Sequence, residues 1–71
     1  MLSDLPPFLT VEQAGKALQL GRSKAYELTV EWERSGGRSG MPFVWFGRQK
    51  RIPRDALVRY IDERLDRPPA A

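Results

Sequence analysis

Phe46-Gly47-Arg48-Gln49-Lys50-Arg51-Ile52-Pro53-Arg54 decides how this chain of 71 residues is read. The stretch holds four cationic residues (Arg48, Lys50, Arg51 and Arg54) and no acid, set around a glycine turn between two apolar, strand-like pieces. A hairpin tip of this kind adds little to a core and is well suited to gripping phosphate. Gly47 to Lys50 is expected to form the tip. Upstream, Phe43-Val44-Trp45-Phe46 is rich in residues that favour extended backbone, and a period of two puts Val44 and Phe46 on one face, Phe43 and Trp45 on the other. Downstream, Arg51-Ile52 begins a return strand that Pro53 ends, because proline has no N–H for the ladder.

The chain before the hairpin reads as two short helices. Residues 1–8 look like a leader, since Pro6-Pro7 forbids helix and favours an extended lead-in. Thr10-Val11-Glu12-Gln13 has the capping-box pattern, with Thr10 as N-cap and Gln13 three residues on. A first helix is expected from Val11 to about Leu18, with Ala14, Ala17 and Leu18 on one face and Leu9 packing back before the cap. Gln19-Leu20-Gly21 is a tight turn in which Gly21 either relieves a strained backbone or caps the next helix. That second helix should run from Arg22 to about Trp32 or Glu33, with Ala25, Leu28 and Trp32 as its buried stripe. Residues 34–42, with glycines at 36, 37 and 40, read as a mobile loop. After the hairpin a last helix is expected from Arg54 or Asp55 to about Leu65, packing through Ala56, Leu57, Tyr60 and Ile61, followed by a flexible tail over 66–71. Trp32 and Tyr60 are expected to pack. Trp45 is expected in or at the edge of the core; if exposed, it would suit a protein contact.

Size and composition narrow the class. A chain this short is one domain, and folding buries only about 60% of the surface its unfolded form exposes. Apolar residues make up 41% of the chain, enough for one small core. There is neither cysteine nor histidine, so disulfides, thiolate ligands, the usual general base and the commonest zinc ligand are all missing. No carboxylates converge on a recognisable site. The chain is therefore expected not to be an enzyme and to need no cofactor and no metal. No stretch is apolar for long enough to cross a bilayer, and the first residues lack a basic region leading into an apolar run. A cytoplasmic, nucleoid-associated protein without a membrane partner is expected.

The net charge of +3 is modest; its placement says more. Cations at 22, 24, 48, 50, 51 and 54 are interrupted by few acids, whereas Glu27, Glu31, Glu33, Asp62, Glu63 and Asp66 lie elsewhere. A one-sided basic face is the footprint of a nucleic-acid binder. The N-terminus of the second helix would offer free N–H groups and a positive dipole to phosphate, and Arg22 and Lys24 add charge there. Ser23 and Tyr26 supply hydroxyls. Glu27 can accept from cytosine N4 but repels phosphate. In the hairpin, Arg48, Gln49, Lys50 and Arg51 can reach the concentrated negative potential of a minor groove. Together these define a mainly α fold with a small β-hairpin: a winged helix-turn-helix with a recognition helix carrying Arg22, Ser23, Lys24, Tyr26 and Glu27.

The combination Leu9-Thr10-Val11-Glu12-Gln13-Ala14, Leu18 and Leu20 with Arg22-Ser23-Lys24-Ala25-Tyr26-Glu27-Leu28, Phe46-Gly47-Arg48, and Arg51-Ile52-Pro53-Arg54-Asp55-Ala56-Leu57 resembles the excisionase-type helix-turn-helix domains, relatives of the MerR-like winged helices. The resemblance covers roughly residues 8 to 61. It departs at three points: Gly21 stands where a serine-type cap is frequent, Glu27 where a basic residue is common, and the glycine-rich loop is longer than usual. The resemblance implies a recombination directionality factor that binds repeated sites on double-stranded DNA, bends it, self-associates side by side and helps a phage or mobile-element integrase. The same fold would serve a small MerR-like transcriptional regulator, although no effector domain or long dimerisation helix is seen. A protein-interaction adaptor is a third reading, in which Trp45 and the acids at 27, 31 and 33 would carry the contact.

Overall fold

A computed structural model describes residues 4–66. The first three residues of the expected leader and the expected tail beyond Asp66 lie outside the described residues. Six elements follow one another: β1 (Phe8–Leu9), α1 (Val11–Ala17), α2 (Arg22–Arg34), β2 (Val44–Phe46), β3 (Gln49–Pro53) and α3 (Arg54–Asp66). The fold is mainly helical with one small antiparallel sheet, ordered β1-β3-β2.

Helix α1 starts where the capping box places it. The Gln13 N–H donates to Thr10 Oγ1, and the Thr10 N–H donates to Gln13 Oε1, both at 3.0 Å. Its end is a Schellman turn: the Leu20 N–H donates to the Gly15 carbonyl at 2.7 Å and the Gln19 N–H to the Lys16 carbonyl at 3.0 Å. The left-handed residue this motif requires is Gln19, with φ of 57°. Gly21 instead has extended backbone and acts as the N-cap of α2, without a side chain to satisfy an amide. The buried face of α1 is Val11, Ala14 and Gly15, and Ala17, expected inside, is exposed. The cause is the close approach of α2. A Cβ on Gly15 would lie 2.8 Å from the Ala25 Cβ, so the crossing point accepts hydrogen alone.

Helix α2 buries Ala25, Leu28 and Thr29, with Trp32 partly covered. The loop after it is not slack. The Ser35 hydroxyl oxygen accepts from the N–H groups of Arg38 and Ser39 and donates to the Ser39 carbonyl. The Met41 N–H donates to the Leu28 carbonyl at 2.9 Å, and Met41 is fully buried. Leu9, Ile52 and Leu57, each with no exposed surface, complete the core together with the buried Phe43. Tyr60 and Ile61 pack partly against it from α3, as their spacing predicts.

The sheet holds one strand the sequence did not announce. Phe8–Leu9 pairs with β3 in the register Phe8↔Pro53 and Leu9↔Ile52. The start of the chain is further tied by Arg54, whose backbone N–H donates to the Pro7 carbonyl and whose guanidinium Nη1 donates to the Leu5 carbonyl, both at 2.8 Å.

Candidate nucleic-acid interface

The hairpin tip is tighter than expected. Phe46 pairs with Gln49, which leaves only Gly47 and Arg48 in the turn. Gly47 has φ of 63°, the conformation a two-residue II′ turn demands of its first central residue. Gln49 and Lys50 therefore belong to β3, not to the tip. A strand's alternation then splits the cationic run three ways. Arg48 sits at the exposed apex. Gln49 and Arg51 fall on one face of β3, where the Arg51 guanidinium donates to Gln49 Oε1 at 2.8 Å. Lys50 falls on the other, with the buried Ile52, facing α2.

On α2, residues 22, 26, 29 and 33 lie along one side at helical spacing, and the hairpin rests on that side. The Lys50 ammonium donates to Thr29 Oγ1 at 2.9 Å and lies 5.9 Å from the Tyr26 ring centroid. One strand over, the Trp45 indole N–H donates to Glu33 Oε2 at 2.9 Å. Trp45 also meets Phe43 edge-on at 5.4 Å between centroids, yet is 49% exposed. It lines the seam between hairpin and helix and is neither core nor free.

The predicted recognition residues are all exposed at the N-terminal end of α2. Arg22 lies 3.7 Å from Glu12 of α1, an exposed pair of the kind worth at most about 1 kcal/mol and easily exchanged for another anion. Lys24 and Glu27 lie 4.0 Å from each other. Helical spacing puts them roughly half a turn round from Arg22, on the flank away from the hairpin. Arg22, Ser23 and Tyr26 thus lie nearer the wing, and Lys24 with Glu27 forms the far edge of the same surface. Thr29 was missed by sequence reading; a threonine in mid-helix gives no cue that its hydroxyl will receive a lysine 21 residues away.

A second helix whose N-terminal end is exposed, with a β-hairpin laid along its side, defines a winged helix-turn-helix. Comparison with known proteins agrees with the resemblance. The chain is 44% identical over 52 residues to a probable excisionase of Saccharopolyspora erythraea, an alignment that takes in 73% of this chain and 46% of that protein. The chain thus spans about half the length of the curated relative it matches. No family model matches it, and no solved structure gives a significant match. Among the described residues no helix is long and apolar enough to cross a membrane.

Proposed function

We propose that the chain is an excisionase-like DNA-binding accessory factor, a recombination directionality factor that takes no part itself in breaking or joining strands. The observation that carries this reading is the adjacency of its two cationic elements: Tyr26 of α2 and Lys50 of the wing are 5.9 Å apart, ring centroid to ammonium. A duplex can therefore meet both at once, the N-terminal end of α2 in the major groove and the hairpin against the neighbouring minor groove. In this reading Arg22, Ser23, Lys24, Tyr26 and Glu27 form the recognition surface and the stretch Arg48, Gln49, Lys50 and Arg51 the wing. Similarity to a probable excisionase supports the same assignment.

One helix and one wing read few base pairs, so a single copy binds weakly. Copies set side by side on repeated sites raise avidity, and cations along one side of the duplex favour a bend. An integrase of a phage or other mobile element is the protein partner, and the nucleoid is the place of action. Kinship with the MerR-like regulators belongs to the same proposal. The test is excision on supercoiled attachment-site DNA with the cognate integrase. Recombinant product should depend on this protein, and product that forms equally without it would end the proposal.

A further inference from the structure

Lys50 faces α2 from the wing and is only partly exposed. Its ammonium sits 4.9 Å from the Phe43 ring centroid, 5.5 Å from Trp45 and 5.9 Å from Tyr26, and each ring attracts the cation through its negative face. It donates to the hydroxyl of Thr29 at 2.9 Å. Thr29 has no exposed surface and spends its own hydroxyl hydrogen on the Tyr26 carbonyl at 2.7 Å. Swinging Lys50 out to a phosphate would draw it away from three rings and take from the Thr29 oxygen the hydrogen bond it accepts. Its cross-strand partner is Trp45, which donates to Glu33. Thr29 and Glu33 are one helical turn apart on the same side of α2. A single cross-strand pair therefore grips two successive turns of one helix.

We propose that Lys50 with Thr29 and Trp45 with Glu33 form a clamp that fixes the angle between wing and recognition helix, and that Lys50 is a positioning residue and not a phosphate ligand. Its effect on recognition rests on the DNA-binding reading; the clamp itself belongs to the free protein. A duplex must seat both elements together, so loosening their angle lowers affinity without removing any charge that meets the backbone.

The experiment has two arms. In the free protein, Lys50→Met, Thr29→Val and the double variant are compared by thermal unfolding. Coupling of about threefold to tenfold in the folding equilibrium constant is expected for directly bonded partners, and purely additive effects overturn the clamp. If the double variant does not fold, the Trp45 indole N–H resonance in Lys50→Met decides. It should shift, and an unmoved resonance counts against the proposal. In the second arm, affinity is measured against salt for a duplex that the wild-type protein selects from a random-sequence pool. Lys50→Met should bind roughly tenfold more weakly with an unchanged slope, whereas Arg48→Ala should reduce the slope by about 0.9, the value of one phosphate. A loss of about 0.9 for Lys50→Met makes Lys50 a phosphate ligand and sinks the proposal. If the wild-type protein selects no duplex, the DNA-binding reading fails, and the unfolding cycle alone decides the clamp.

Discussion

Gly15 of α1 and Ala25 of α2 meet so closely that a methyl group on residue 15 would stand 2.8 Å from the Ala25 Cβ. The helix-turn-helix angle is set at this point, since everything C-terminal on α2 swings about it. Gly15→Ala should therefore cost about 1–3 kcal/mol by overpacking, despite alanine's better helix propensity. Ala25→Gly in the same chain should return part of that loss, because it removes the atom in the way. Urea unfolding of the single and the double variant beside the wild-type protein checks this. An unaltered midpoint for Gly15→Ala would mean that the helices are free to separate.

Gln19 holds a left-handed backbone that favours glycine. Gln19→Gly relieves a penalty of about 1–2 kcal/mol, partly offset by the greater freedom of glycine in the unfolded chain. A net gain of about 0.5–1 kcal/mol is expected, which for a domain of this size raises the melting temperature by a few degrees, at about 4–8 °C per kcal/mol. A lower melting temperature would contradict the Schellman turn described above.

Gly40 should be the least replaceable glycine of the loop. Its φ is 92°, and a Cβ there would run into the Leu28 carbonyl oxygen and stand 2.5 Å from the Trp32 backbone nitrogen. Backbone cannot step aside as a side-chain tip can. Gly40→Ala is expected to cost about 3 kcal/mol or more, a large part of the stability of so small a domain. Gly36→Ala, with the same sign of φ at 68° and open space around it, should cost less. Circular-dichroism melts of the pair test the contrast; equal losses would show that backbone conformation alone, and not the packing of residue 40 on α2, is what matters.

Arg22→Ala should leave stability nearly unchanged, because its exposed contact with Glu12 contributes at most about 1 kcal/mol. Affinity for duplex DNA should fall, and the salt slope should shrink by about 0.9 if the guanidinium meets one phosphate. Binding that is indifferent to this change would remove the N-terminal end of α2 from the interface.

Where local chemistry decides structure, the sequence was readable. Thr10 and Gln13 announce the start of α1, Ala25 and Leu28 mark the inner side of α2, and Leu57, Tyr60 and Ile61 mark that of α3. What could not be read depends on distant partners. Phe8 becomes a strand only because β3 offers it an edge. Gln19, and not the nearby Gly21, takes the left-handed turn because the Schellman bonds count back from Leu20 to Gly15. Among the candidate interface residues, charge gave the elements and no charge rule gave the facing. Lys50 and Arg51 look equivalent in sequence, and a strand's alternation sends one against α2 and the other to the opposite face.

The pairing of Phe8–Leu9 with β3 has a practical bearing on how the protein is handled. Cutting the chain back to Thr10 would strip Ile52 and Pro53 of their neighbour and leave an open sheet margin, on which another molecule could add. Shortened versions should therefore come out of expression as oligomers or precipitate, and size-exclusion chromatography of a chain beginning at Thr10 beside one beginning at Asp4 would reveal the difference.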